Sequence, residues 1–455
     1  MEKDPPRTLA TDSRPMVRQV MALALPALVQ QFFLFLIQQY DQYLARTFSP
    51  DHQAALTTAN YLYWFVSSYS VIVGAGATAL VGRFFGAKDF VLANRAAGQA
   101  AVLAAAFGLM GTTAGLLFIP DLTGLLELPG QSPDFAVRYL TPLACVLPLQ
   151  MIETAGIACF VGAGDTRTGL FVLGGVASVN VPVAYCFSRG VGLIPTLGFV
   201  GIAYGTAAAH TAGGLVVLAL LARGRSGLKL RIGHVVPDFS LIRRLLRVSL
   251  PAAADSLSVA MCQFWFLTLV NRLGKEAAAA HGIALRWEAL GYLSGAAFGS
   301  AAMALVSQNL GANRPARAAR GGVTAFLIGC GTMTGMAVVF FTLARPMCDL
   351  YSPENVTVAG LAVVALRTIA FVMPFLAASI IFTNALRAAG DTRVPVLITW
   401  VGFLGVRIPL GYLLTGPEFE WGLFGAWFAM STDIVVRGSL FAVRFASGRW
   451  KKVQV

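Results

Sequence analysis

The sequence predicts an all-α integral membrane protein, with twelve transmembrane helices in two parallel six-helix lobes related by pseudo-two-fold symmetry around a central cavity. Three observations predict it. Of 455 residues, 57% are hydrophobic and only 12% charged, against about 25% charged in a soluble protein. The chain contains twelve apolar runs, each close to the ~20 residues that cross a hydrocarbon core. It also repeats itself at an offset of about 225 residues.

So little charge cannot cover a water-soluble body of this size, which excludes a cytosolic enzyme, a secreted domain and a disordered tail. The 47 glycines and 21 prolines agree with this, since both are commoner in membrane helices than in soluble ones. The six cysteines are scattered, with no CxxC pair, and His52, His210, His234 and His281 form no metal-binding spacing. Neither a disulfide framework nor a metal or other cofactor is expected. Residues 1–16 are polar, and the apolar run after them is too long for a signal-peptide core.

Taken in order, the runs cover about 17–44, 54–80, 94–118, 135–160, 168–188, 196–222, 247–272, 279–305, 320–344, 359–386, 395–415 and 421–445. An even count puts both termini on one side. With that side cytoplasmic, 25 Lys and Arg residues fall inside and 6 outside, while Arg286, Arg367 and Arg407 lie within spans. The sequence pI of about 9.8 therefore reads as a positive-inside bias and not as a nucleic-acid-binding surface. The predicted organisation is a cytoplasmic tail (1–16), an N-lobe (17–222), a basic cytoplasmic linker with Pro237 (223–246), a C-lobe (247–445) and a cytoplasmic tail (446–455). The chain is expected to act as a monomer in an inner or plasma membrane.

The repeat is visible in detail. ATALVGRFFGAKDFVLANRAA at 77–97 returns as AMALVSQNLGANRPARAARGG at 302–322. Pro26 matches Pro251, Pro148 matches Pro374, and AGDTR at 163–167 returns at 389–393. Six spans per repeat make the halves parallel, an arrangement in which a cavity between two bundles is exposed to each side in turn. This is the outline of a secondary transporter.

LPALVQQ with Asp41 fifteen residues after Pro26, VGRFFGA after the second span, AAHGIAL and LVSQNLGAN at the ends of the eighth, and the two AGDTR loops together resemble the multidrug and toxic compound extrusion (MATE) family. The resemblance covers nearly the whole chain. It implies a non-enzymatic exporter of small cationic or amphiphilic organic compounds, driven by inward protons or Na⁺. Lipid-linked oligosaccharide flippases of the related superfamily and major facilitator transporters are the neighbouring alternatives. An intramembrane enzyme or a channel is more distant, because no catalytic motif or selectivity filter is found.

An acid in mid-bilayer costs about 2.5–3.5 kcal/mol on insertion scales, so each one calls for a partner or a function. Asp41 shares a helical face with Gln31, Gln38 and Gln42. A carboxylate there can cycle between a neutral protonated form and an anion that attracts Na⁺ or an organic cation. Pro26 and Pro251 remove a backbone hydrogen bond and are expected to bend their helices. By the resemblance, Asn180 belongs to the first-lobe site with Asp41, where Na⁺ is the alternative ligand. Ala184 stands where the family carries a further ligand, so Thr206 and His210 are candidates to replace it. In the second lobe Val259 stands where sodium-driven members carry Glu, and Asp255 is the nearest substitute. Arg286 and Glu288 are candidate partners, with Arg286 able to pair with Asp255. Asp433 and Arg437 read as a structural i, i+4 pair. Tyr61, Trp64 and Trp287, together with Trp265 and Trp400, are candidates to line a cavity and hold cations over their rings. Both AGDTR loops read as turns in which Asp caps the following helix.

Overall fold

A computed structural model describes residues 8–48, 50–125, 132–191 and 195–453, without the side chains at 50, 51, 53, 54, 57, 58, 60–67, 122, 124, 125, 132 and 232. The long elements are α1 (Met16–Ala45), α2 (Pro50–Gly86), α3 (Phe90–Leu125), α4 (Ser132–Cys145), α5 (Leu147–Gly162), α6 (Thr166–Arg189) and α7 (Val200–Ala222). A short α8 (Ile232–Val235) follows, then α9 (Phe239–Arg272), α10 (Lys275–Gly311), α11 (Pro315–Thr342) and a short α12 (Ala344–Asp349). The chain ends with α13 (Val356–Ala388), α14 (Arg393–Gly402), α15 (Ile408–Thr415) and α16 (Gly422–Ala446). Eleven helices among the described residues are long and apolar enough to cross a membrane, and twelve when the bent pair α4–α5 counts as one span.

That pair is the expected fourth span, and it bends by 56°. Val146 leaves the helical conformation at the joint, and Pro148 opens α5 just beyond it. Proline lacks the N–H that would carry the hydrogen-bond ladder across. At Pro26 and Pro251, where bends are expected, α1 and α9 run on without a break. The eleventh span is also uneven: Phe403–Arg407 forms a π-helical turn between α14 and α15. The seventh starts at Phe239, eight residues before the apolar run begins, because the basic end of the connector continues the helix.

Contacts divide the chain into two compact units. One holds the residues up to Asp12 with Val29–Ser249, and the other holds Ser13–Leu28 with Leu250–Val455. In the first unit α6 packs closely on α7, and α5 on α2, α3 and α7. The cause is a row of small residues on α7. A Cβ added at Gly201 would lie 2.6 Å from the Phe187 carbonyl oxygen, and one added at Gly205 would lie 2.6 Å from the Ala184 Cα. Lipid supplies no hydrophobic drive between helices, so this close van der Waals approach is what holds them. In the second unit α13 is the central helix, packed on α10, α11 and α16. Near its C-terminal end the Phe382, Phe445 and Trp450 rings stack in turn.

The two AGDTR turns differ. Gly164 and Gly390 take the same left-handed conformation, with φ of 84° and 83°. Asp165 caps α6 as expected, accepting from the Thr168 N–H at 3.0 Å. It also accepts from the Ser226 hydroxyl. Asp391 does not cap. The helix begins one residue later, with Thr392 at its N-cap, and Asp391 pairs with Arg444 at 2.8 Å. The capping role read from the second loop is thereby corrected.

Candidate functional site

The close contact of α6 and α7 sets Asn180 beside Thr206. Asn180 Nδ2 donates to Thr206 Oγ1 at 3.0 Å, and that hydroxyl donates to Asp41 Oδ2 at 3.2 Å. All three side chains are buried. Apolar residues bracket them: Leu44, Ala184, Phe199 and Ile202 belong to one cluster, and Ile37, Val176 and Ala209 to another one helical turn away. Asp41 Oδ1 and Asn180 Oδ1 are buried with no hydrogen-bond partner. Among the described residues, no arginine, lysine or histidine pairs with Asp41.

A buried acceptor without a donor is costly, so this group is suited to a species that brings positive charge or a proton. Its oxygens, Asp41 Oδ1, Asn180 Oδ1 and Thr206 Oγ1, are the ligand type that a hard cation takes. No cluster of three His, Cys, Asp or Glu side chains suited to a metal occurs among the described residues. Gln38 lies one turn from Asp41 but is exposed. The side chains of Tyr61 and Trp64 fall outside the described residues.

His210 does not join Asp41 as a substitute ligand. It turns to Glu153 on α5, with Nδ1 3.0 Å from Oε2, both residues buried.

The second unit is built on arginines. Arg387 Nη2 lies 2.6 Å from Asp255 Oδ2 and also reaches Ser256 Oγ and the Ala252 carbonyl. Asp255 therefore pairs with Arg387 and not with Arg286. Asp433 accepts two bonds from Arg437, at 2.7 and 2.8 Å, and a third contact from Arg407 Nη2 at 2.9 Å. Arg407 also donates to Gln263 Oε1 at 3.0 Å, and both guanidiniums lie over the Phe403 ring. The π-helical turn that ends at Arg407 carries it into this cluster. Arg286 is exposed and sits over the Tyr351 ring. Trp287 packs edge-on against Tyr351 and donates to the Met347 carbonyl at 3.2 Å. Glu288 keeps one buried oxygen without a hydrogen-bond partner. Trp265 donates to Tyr412 and Trp400 to Ser258.

Sequence reasoning missed Glu153 as the partner of His210, and Arg387 and Arg407 as the partners of Asp255 and Asp433. Arg407 gave a signal, because a cation inside a span must find an anion. Arg387 gave none, since it adjoins an AGDTR loop and reads as a surface residue.

Comparison with known proteins adds three findings. The MatE family model matches residues 26–186 and again 251–413. A probable multidrug resistance protein NorM of Thermotoga maritima is 25% identical over 437 residues, covering 96% of this chain and 93% of the relative. One from Pseudomonas aeruginosa is 27% identical over 452 residues, covering 96% and 90%. Two solved structures, each 17% identical, share the fold with a TM-score of 0.89 over 96% of this chain and 97% of theirs. One is described as the outward-facing conformation of a multidrug resistance MATE family transporter. The other is a MOP superfamily transporter from Pyrococcus furiosus, for which a reverse polarity of the binding pocket is said to suggest a different function.

Proposed function

The chain belongs to the MatE family of multi-pass membrane transporters, and from that premise we propose that it exports cationic or amphiphilic organic compounds in exchange for protons. Both termini face the cytoplasm of a cell bounded by this plasma membrane. Asp41 is the coupling residue. One observation carries this reading: Asp41 is a buried carboxylate that accepts from the Thr206 hydroxyl, which itself accepts from the Asn180 amide, and its other oxygen is unpartnered. Its charge is left for an exchangeable cation to neutralise.

A proton on Asp41 makes the group neutral, and its loss leaves an anion that favours an organic cation. Competition of the two for one carboxylate links their binding with equal and opposite effect. Thr206 and Asn180 orient the carboxylate in both forms. Sodium is the second reading, favoured by the oxygens of Asn180 and Thr206 beside Asp41. Ala184 adds no further ligand, which leaves the proton ahead.

The test is uptake of ethidium into liposomes containing the purified chain, driven by an imposed pH gradient or by an imposed Na⁺ gradient. The pH gradient drives uptake in the wild type and fails to do so in Asp41→Asn. Uptake driven only by Na⁺ would move the reading to sodium. Normal pH-driven uptake by Asp41→Asn would remove Asp41 from the mechanism.

A further inference from the structure

We propose that Glu153 and His210 form a second proton-binding site in the first unit, through which the proton of Asp41 passes toward the end of the helices where α1 begins. This rests on the reading of Asp41 as proton-coupled.

The two centres are stacked along the same helices. On α1, Ile37 lies one turn before Asp41, and on α6, Val176 lies one turn before Asn180. On α7, which runs the other way, His210 lies one turn after Thr206. A Cβ added at Gly213 would lie 2.7 Å from both Glu153 Oε2 and Val176 Cγ2. The Glu153 carboxylate is therefore seated among α5, α6 and α7, at the level of His210 and below. Its oxygen lies 3.0 Å from His210 Nδ1, and the two residues are 2% and 7% exposed.

The chemistry of the partner is what distinguishes this pair from the others. Asp255 and Asp433 are matched with arginine, which keeps its proton at every physiological pH. Glu153 is matched with histidine, a side chain that can gain and lose a proton. Besides the pair itself, the ionisable side chains set within the bodies of α5, α7 and the helices packed against them are Tyr69 on α2, Tyr139 on α4, Cys159 on α5, Tyr185 and Cys186 on α6 and Tyr204 on α7, among the described residues, and none of these is a cation or a carboxylate. Arg83, Arg95, Asp121, Asp134, Arg167 and Arg189 lie within the first or last two turns of their helices, and Arg138 on α4 is exposed. The pair thus carries one exchangeable proton. With it, imidazolium and carboxylate balance; without it, the pair bears one negative charge. The step is a proton transfer alone: Asp41 loses its O–H proton, a ring nitrogen of His210 gains it, and Glu153 stabilises the imidazolium so formed.

The test uses the full chain with tetraphenylphosphonium as the bound cation and ethidium as the transported one. His210→Gln and Glu153→Gln should bind tetraphenylphosphonium and release a proton on binding, as the wild type does, because Asp41 is intact. Ethidium uptake driven by a pH gradient should slow on the order of a hundredfold in His210→Gln, the lower range for a positioned proton-transfer group. Its pH profile should lose a limb that the wild type shows, and Glu153→Gln should displace that limb. Wild-type rates and profiles in both variants overturn the proposal while leaving Asp41 in place. An equal loss at every pH with the limb unmoved also overturns it, marking a structural pair. Absence of proton release in the wild type instead defeats the reading of Asp41. Where His210→Gln does not fold, the variant His52→Gln/His234→Gln/His281→Gln leaves one histidine to follow by NMR. A ring whose protonation changes when tetraphenylphosphonium is added supports the proposal, and an unchanging ring contradicts it.

Discussion

Asp41 and Asp433 are both buried carboxylates on membrane helices, and their surroundings are opposite. In the first unit Asp41 meets a hydroxyl and, through it, an amide, and keeps one oxygen unpartnered. In the second unit Asp433 is held by two guanidiniums, and Asp255 by a third. The family model matches both halves, yet Asp255 and Asp433 in one are matched with fixed cations while Asp41 in the other is not. A carboxylate permanently paired with arginine is a structural group. One paired only with neutral donors can take a proton or a cation and give it back.

The comparison can be broken most strongly at Asp433. Asp433→Asn leaves Arg407 and Arg437 buried without an anion, and breaking such a pair costs about 3–5 kcal/mol. Thermal unfolding in detergent should show this loss, and Asp41→Asn should show little, since it strands no cation. Equal destabilisation by both would erase the distinction. Asp255→Asn should cost less, about 2 kcal/mol, because Arg387 keeps the Ala252 carbonyl and Ser256. Per folded molecule its pH-driven ethidium uptake should match the wild type. Gly205→Ala forces α6 and α7 apart at Ala184 and should cost about 1–3 kcal/mol by overpacking. Cation binding should weaken with it, and a variant as stable as the wild type with full binding would show that the helix contact does not set the site. Thr206→Val should have the smallest effect on stability, about 1 kcal/mol, while Thr206→Ser should restore binding.

Orientation sharpens the same picture. Lys275, Glu418, Lys88 and Arg393 are all exposed. Single cysteines at Lys275 and Glu418 should label in intact cells, and those at Lys88 and Arg393 should not. Reversed labelling would invert the direction of export.

Much of the fold was legible because apolar runs of span length and a duplicated order of motifs are one-dimensional signals. The break at Val146 was half-legible, since Pro148 marks it while its counterpart Pro374 sits within an unbroken α13. That difference depends on packing, not on the proline itself. Asp41, Asn180 and Thr206 could be read as one group from position and resemblance. The partners of the remaining acids could not. Asp255 and Arg387 are 132 residues apart, and Glu153 and His210 are 57 apart. Nothing in a single sequence says which helices bring such residues together. The π-helical turn that delivers Arg407 to Asp433 is likewise a product of tertiary fit.

On the proposed mechanism Asp41, and no acid of the second unit, exchanges its proton for the transported cation. Proton release on binding tests it directly. Tetraphenylphosphonium is added to the detergent-purified wild type, Asp41→Asn and Asp255→Asn in weak buffer, and the released protons are counted with a pH indicator. The account predicts close to one proton per bound cation in the wild type and in Asp255→Asn, and none in Asp41→Asn. Release that persists in Asp41→Asn and vanishes in Asp255→Asn would contradict it.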